Sequence, residues 1–365
     1  MRVGVEVGGT FTDLVAIGDD GRLLVTKVPS TPARPDEGAL NAIDSAGLDL
    51  ARVDDLVHGS TVATNAILER KGARVLMVVT EGTRDILFIQ RHNRRRIYDL
   101  FYRKSEPVVR RRDVVEAPER IDAAGAVVDP LDMETTLARI AARLEAEDDY
   151  GAVAICLLNA YVEPAHEQAV ADAVRKRFQN LKVTVSSDVC REFREYERAS
   201  TTALAAYVQP VIDAYLGRFG DEPTRPGHTG RFSVMQSNGG RLPAEAMRSN
   251  AVNALLSGPA AGVMGAARQA ARAGYGNLLT LDMGGTSTDV SRYDGEQYDR
   301  VQETLVAGHR LRAPMMAVHT VAAGGGSILT FDGERARVGP DSAGAMPGPA
   351  GDGRGGPAAV TDANI

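Results

Sequence analysis

Two cysteines, Cys156 and Cys190, are few for 365 residues and lack metal-ligand spacing, so neither a disulfide framework nor a structural zinc is expected. Long apolar runs are missing too: nothing approaches the roughly 18 to 20 residues that span a bilayer, which excludes a transmembrane role. The first residues run directly into a strand-like segment instead of a charged-then-apolar leader, which points to the cytoplasm. Basic charge is in deficit. A net charge of −6 and a pI near 5.6 leave no broad cationic face for nucleic acid or an anionic membrane. Absent as well are the Gly-x-x-x-x-Gly-Lys and Gly-x-Gly-x-x-Gly signatures at strand-to-helix turns, so any nucleotide must be held some other way.

What is present is an ordinary globular composition, 44% apolar and 25% charged, with material for two full cores. Residues 2–17 alternate and break at Gly8-Gly9, which predicts a β-hairpin, and 23–28 predict a further strand. Residues 36–46 have helical spacing with Gly47 as a C-cap. A strand at 56–58, a helix at 62–70 and a strand at 75–79 then set the alternation of an α/β fold. Residues 91–112 are strongly basic and irregular and read as a surface excursion. The pattern returns with a helix to 146, a strand at 152–158, a helix at 167–178 and a strand at 183–186. Residues 195–215 predict a long helix, kinked at Pro210, that joins two halves. A Gly/Pro-rich linker at 220–230, a strand at 232–236 and a helix at 260–273 follow before the second half opens at Leu278. The expected domains are 1–200 and 201–365.

The chain repeats itself. Val5-Glu6-Val7-Gly8-Gly9-Thr10-Phe11-Thr12-Asp13-Leu14 aligns with Leu281-Asp282-Met283-Gly284-Gly285-Thr286-Ser287-Thr288-Asp289-Val290 at a constant offset of 276. Both glycines, both threonines and the closing aspartate are identical, and four of the other five positions are conservative. A single Gly-Gly turn is most often just a turn; two at a fixed offset point to a phosphate clamp. Glycines let backbone N–H groups reach phosphate oxygens, and a threonine hydroxyl adds a short hydrogen bond. That assigns Gly8, Gly9, Thr10, Thr12, Gly284, Gly285, Thr286 and Thr288 to the phosphates of ATP. Carboxylates at Glu6, Asp13, Asp282 and Asp289 would repel phosphate, so Mg²⁺, held directly or through water, is the expected bridge, with Asp13, Asp282 and Asp289 as the catalytic candidates.

These features resemble the actin, Hsp70 and sugar-kinase superfamily, in which each of two duplicated halves donates a phosphate hairpin. More narrowly, the chain is similar to the hydantoinase A/5-oxoprolinase family. The resemblance rests on Val7-Gly-Gly-Thr-Phe-Thr-Asp13, His58-Gly-Ser-Thr-Val-Ala-Thr-Asn65, Leu68-Glu-Arg-Lys-Gly-Ala-Arg74 and Pro164-Ala-His-Glu167. It continues through Glu195-Tyr-Glu-Arg198, Gln236-Ser-Asn-Gly-Gly240, Ser257-Gly-Pro-Ala260, Asp282-Met-Gly-Gly-Thr-Ser-Thr-Asp289 and Ala323-Gly-Gly-Gly-Ser327. It implies duplicated ribonuclease H-like, actin-like ATPase domains with mixed β-sheets flanked by helices, the second of them incomplete. It also implies an ATP- and Mg²⁺-dependent enzyme that phosphorylates the carbonyl oxygen of a small cyclic amide or ketone. A hydantoinase B-type subunit, in a hetero-oligomer, would complete hydrolysis or carboxylation.

Two departures stand out. Glu6 occupies a position where the family usually has aspartate, and residues 347–356 lack the cysteine and tyrosine of the corresponding Pro-Ala-Cys-Tyr-Gly segment. The resemblance also places an adenosine-binding turn beyond Ile365, so weak ATP affinity and poor solubility are expected of residues 1–365 alone.

Further candidates are less determined by their spacing. His58, Ser60 and Thr61 lie between a strand and a helix, where they could meet a substrate carbonyl or simply cap the helix, and Asn65 shares the helix face of Thr61. Arg91, with His92, Arg94, Arg95 and Arg96, could contact substrate or a partner subunit, or form a solvated face. Gly324, Gly325 and Gly326, after His319, could approach the phosphates or make a flexible turn; His166-Glu167 reads as helix surface or a buried polar contact, and Cys156 as core. Three activities compete: an ATP-dependent amidohydrolase for 5-oxoproline or hydantoin-type rings, an acetone/acetophenone-type carboxylase subunit, and an ATP-gated activator or chaperone.

Overall fold

The computed structural model describes residues 1–91, 93–94, 96–147, 149–220 and 230–365. Strict alternation builds β1 (Arg2–Val7), whose Val3, Val5 and Val7 share one buried face. The chain turns at Gly8-Gly9 and returns antiparallel as β2 (Phe11–Ile17), burying Leu14 and Ala16 on the same face; β3 (Leu23–Pro29) follows antiparallel. Helix α1 (Pro35–Ser45) starts with proline in its first turn and covers that face with Ala39, Ala42 and Ile43. Strand β4 (Asp55–Ser60) pairs parallel to β1 on its other side and leads into α2 (Val62–Leu68).

A second sheet begins at β5 (Arg74–Thr80), where Val75 to Val79 are all buried. A strand buried on both faces has to sit centrally in a parallel sheet. After α3 (Ile86–Ile89) and the irregular basic stretch come β6 (Val114–Ala117), the small hairpin β7 (Arg120–Ile121) and β8 (Val127–Asp129), and α4 (Met133–Ala146), N-capped by Asp132. Then β9 (Tyr150–Cys156), α5 (Ala165–Arg177) and β10 (Lys182–Val185) complete a parallel sheet of order β10-β9-β5-β6.

After α6 (Ser186–Val189), helix α7 (Glu195–Gly220) runs 26 residues with Pro210 inside it. It is buried nearly all round because it packs on α1, α2, β9 and the strand His309–Met316 at once, and Ala199, Ala203, Ala205 and Ala206 keep those approaches close. Gly72 is obligatory at one of them, since any Cβ there would overlap the Tyr207 ring. Strands β11 (Arg231–Met235) and β12 (Arg241–Pro243) return to the first sheet, giving the order β12-β11-β4-β1-β2-β3. The boundary expected at residue 200 therefore falls inside α7, and residues 231–243 belong to the first sheet. Of the expected linker, 221–229 lie outside the described residues.

Helices α8 (Ala244–Ser249) and α9 (Ser257–Arg272) precede the second hairpin, β13 (Leu278–Met283) and β14 (Thr288–Tyr293). Strands β15 (Arg300–Val306) and β16 (His309–Met316) form a hairpin of their own. Strand β17 (His319–Val321) joins β14, giving a three-stranded sheet β13-β14-β17, and β18 (Ser327–Phe331) pairs with β19 (Ala336–Ser342). The chain closes on a short helix, α10 (Val360–Ala363). Mixed sheets flanked by helices, with the same hairpin opening each half, are the arrangement of an actin-like ATPase fold.

One polar clasp locks the first half. The buried carboxylate of Glu167, on α5, accepts hydrogen bonds from Leu157 N (2.8 Å), Ser186 Oγ (2.6 Å) and Ser187 N (3.0 Å). Arg198 of α7, fully buried, lies 3.5 Å from that carboxylate and donates to Ser186 Oγ, Leu157 O and Glu195. Four elements are thereby tied to one ion pair. His166 beside it hydrogen-bonds Glu119 at 2.8 Å.

Candidate active site

The repeated segments fold alike. Gly8 N donates to Phe11 O at 3.0 Å and Gly284 N to Ser287 O at 2.9 Å, closing each turn. The next two amides of each turn, Gly9 and Thr10 in one and Gly285 and Thr286 in the other, make no hydrogen bond among the described residues. Ser30 holds the back of the first turn, through Oγ to Gly8 O (2.8 Å) and N to Thr10 O (2.9 Å). The two turns meet, for a Cβ on Gly285 would overlap the side chain of Thr10.

The acids pair across each hairpin, Glu6 opposite Asp13 and Asp282 opposite Asp289. Glu6 is the hub. Its Oε2 is buried with no hydrogen-bond partner, and burial, reinforced by the charges of Asp13 and Asp282, pushes its carboxyl up to about 7. Space around it depends on Gly258, at the start of α9, where a Cβ would lie 2.5 Å from Oε1; at Gly59 a Cβ would sit in ordinary contact, 3.7 Å from Oε2. Helix α9 packs on β4 and β11 of the first sheet as well as on β13 and β14, so it bridges the first sheet and the second hairpin. Asp13 is held by Lys27 Nζ at 2.7 and 2.9 Å, and Asp289 by Thr320 Oγ1 at 2.6 Å. Burial raises the Asp289 carboxyl above its ordinary value.

Several expected site residues have other work. Among the described residues no three of His, Cys, Asp and Glu converge closely enough to hold a metal directly, so the four acids do not form a cage of direct ligands. Thr12 and Thr288, the second threonines of the repeat, are buried, bonding Ser30 Oγ at 3.0 Å and Ala323 O at 2.5 Å. They anchor the turns and do not face the cleft. The amides of Gly324, Gly325 and Gly326 are spent on Ser327 Oγ, Gly284 O and Gly285 O, so this turn buttresses the second loop from behind.

His58 is fully buried among Tyr215, Phe219 and Phe232; its Nδ1 faces Val5 O at 3.1 Å and its Nε2 the Tyr215 hydroxyl at 2.6 Å. Burial drives its pKa down to about 4, so it is a neutral core residue without access to substrate. Ser60 Oγ accepts from Val62 N at 3.0 Å and so starts α2. Thr61 bonds Val7 O through N and Oγ1, and Asn65 reaches Thr61 Oγ1 at 3.1 Å, as shared helix-face spacing predicts. Arg91 is clamped bidentately by buried Glu197 at 2.8 Å, far along α7 from Tyr215 and the hairpins. His92 and Arg95 lie outside the described residues. Cys156 and Cys190 are both free and buried.

Two family models now decide the relationship: the hydantoinase/oxoprolinase N-terminal region matches residues 2–178, and hydantoinase/oxoprolinase matches 198–365. The chain belongs to the hydantoinase/oxoprolinase family. Within it, the caprolactamase subunit alpha of Pseudomonas jessenii is 35% identical over all of this chain and 54% of its own length. The crystal structure of the ATP-dependent caprolactamase from that organism superposes with a TM-score of 0.83 at 34% identity, covering 100% of this chain and 54% of that one. The acetophenone carboxylase gamma subunit of Aromatoleum aromaticum is 34% identical over 95% of this chain and 50% of its own. 5-Oxoprolinase 1 of Arabidopsis thaliana is 36% identical over the whole chain and 31% of its own. This hydantoinase/oxoprolinase chain thus spans about half the length of the first two relatives and less of the third. Among its described residues no helix is long and apolar enough to cross a membrane.

Sequence reasoning missed three contributors to this family site: Ser257, whose Oγ donates to Ser60 O at 3.2 Å; Gly258; and Lys27. The Ser257-Gly-Pro-Ala260 motif was the available signal, because a glycine one residue into a helix marks a close approach.

Proposed function

We propose that the two turns bind the β- and γ-phosphates of ATP and that this chain supplies the phosphoryl-transfer machinery of an ATP-dependent hydrolase of cyclic amides. The observation that carries the reading is the symmetric set of unbonded amides at Gly9, Thr10, Gly285 and Thr286, on two turns that touch. Such donors suit phosphate oxygens and cost no reorganisation during reaction. The orphaned, buried Glu6 Oε2 fits a cation, so Glu6, Asp13, Asp282 and Asp289 are the residues to hold Mg²⁺, through water given their separation. Bound there, the ion would neutralise charge on the transferring phosphoryl group.

A lactam is a poor electrophile. Its carbonyl oxygen attacks the γ-phosphorus and ADP leaves; water adds to the carbon of the phosphorylated imidate, the tetrahedral intermediate breaks its C–N bond to open the ring as an acyl phosphate, and hydrolysis of that acyl phosphate releases the carboxylate and phosphate. Thr10 and Thr286 hydroxyls orient the γ-phosphoryl group, and most of the rate comes from positioning and charge neutralisation. A hydantoinase B-type subunit carries the hydrolytic half; the relatives named as an alpha and a gamma subunit support a multi-subunit enzyme. The carboxylase relative also supports a second reading, activation of a ketone.

The test is ADP release by the whole protein, offered 5-oxoproline, hydantoin or caprolactam in turn, and separately acetophenone with bicarbonate. Amide-dependent turnover is expected, and turnover only with ketone and bicarbonate would replace this reading with the second. Gly285→Val, which drives a side chain into Thr10, should lower the rate roughly 10²- to 10³-fold, the loss typical of removing a preorganised oxyanion donor. An unimpaired Gly285→Val enzyme would sink the phosphate assignment.

A further inference from the structure

We propose that residues 96–104 form the dock for a second polypeptide of the enzyme, and that the partner meets them with an apolar groove edged by carboxylates. The inference rests on the multi-subunit reading above.

Ile97, Tyr98, Leu100 and Phe101 are 73%, 96%, 93% and 90% exposed, a run of large apolar side chains that the described residues leave uncovered. Scattered apolar residues on a surface need no explanation, but four within five positions do. The segment is also held ready. Gln90 Nε2 donates to Ser105 O at 2.9 Å, and Lys104 Nζ reaches the carbonyls of Ile89 and Arg91, so the two ends of the loop are tied together. At the tip, Asp99 N donates to Arg96 O, Tyr102 N to Asp99 O, and Phe101 N to Asp99 Oδ1 at 3.0 Å. A loop closed at its ends and turned at its tip presents its side chains at little further entropic cost.

The surroundings say what the partner carries. Among the described residues of 91–104, Arg91, Arg94, Arg96, Arg103 and Lys104 face one acid, Asp99, in a chain whose net charge is −6. At the loop's root, Arg91, Asn93, Arg194, Glu197 and Arg310 line an open cleft of about 270 Å³. Glu197 fixes Arg91 and lies 3.9 Å from Arg310, which also pairs with Glu303. The Arg194 guanidinium makes no hydrogen bond or ion pair among the described residues: the residue stands at a backbone φ of +81°, with its guanidinium over the half-exposed Phe193 ring. A positive φ is costly for arginine and persists where the surroundings demand it. An unmatched cation beside a protruding apolar knob suits a carboxylate at the rim of an apolar groove, and arginine with aromatic anchors is the composition of an interface centre.

The decisive experiment co-expresses the whole protein with its hydantoinase B-type polypeptide and measures complex mass and affinity for wild type, a Leu100→Glu/Phe101→Glu double variant and Arg194→Glu. The double variant should lose roughly 100-fold in affinity, and Arg194→Glu about tenfold, while melting temperature and Mg-ATP binding stay at wild-type values. A photo-crosslinker placed at Tyr98 should attach to the partner. Unchanged affinity in the double variant overturns the proposal, as does a wild type that never assembles. So does crosslinking to a second copy of this chain, or binding of the loop to vesicles of mixed phosphatidylcholine and phosphatidylserine. Loss of assembly with ATP binding retained separates this outcome from failure of the phosphate site, which Gly285→Val reads.

Discussion

Arg198→Met lowers the stability of the chain by about 3 to 5 kcal/mol, the cost of removing one partner from a buried ion pair. Chemical denaturation against the wild type measures it. The size follows from what is left behind. Glu167 keeps its bonds from Leu157 N, Ser186 Oγ and Ser187 N but loses its guanidinium partner, in surroundings that already push its carboxyl up through burial. The lost donors also free Leu157 O at the end of β9. Arg198→Met with Glu167→Gln should recover part of the loss, because two neutral side chains of similar volume need no counter-charge. A single variant that loses less than about 1 kcal/mol, the value of an exposed pair, would show that the clasp is not what ties these four elements together.

Glu6→Gln changes how stability depends on pH. The Glu6 carboxyl titrates near 7 in the folded chain against an ordinary 4.5. Between those values the folded state keeps a proton that the unfolded state has released, so Glu6 makes stability fall as pH rises through this window, and the loss levels off above it. At about 1.4 kcal/mol per unit, the wild type surrenders roughly 3 kcal/mol that the variant keeps. Melting curves at pH 5 and pH 8 should agree at the first and favour Glu6→Gln at the second, while Mg-ATP affinity falls. Parallel pH profiles for the two proteins would refute the burial of a near-neutral carboxyl at this hub.

Much of this was readable from the chain alone. Alternation and turn glycines specify both hairpins, the unbroken apolar run at 75–79 specifies a central strand, and the constant offset shows that the hairpins are two copies of one motif. The placement of His58 was not readable. A histidine at the end of a strand looks the same whether its ring meets the cleft or, as here, Tyr215 on a helix 157 positions later. The Gly324–Gly326 turn misled for a related reason: glycine permits close approach but does not say whether phosphate or another backbone approaches. Two hairpins could have been found. Asp332-Gly333 is a strong turn signal between β18 and β19, and Ala307-Gly308, both at positive φ, make the two-residue turn of β15 and β16. Arg91 pairs across 106 positions with Glu197, a contact that no local pattern encodes.

The touch between Gly285 and Thr10 couples what each half of the repeat can carry. A methyl group at 285 has nowhere to go while a threonine stands at 10, so drift in one copy of the repeat is permitted only after the other has yielded space. Thr10→Gly should therefore rescue the stability of Gly285→Ala, so that residues 275 positions apart in the chain are constrained as neighbours.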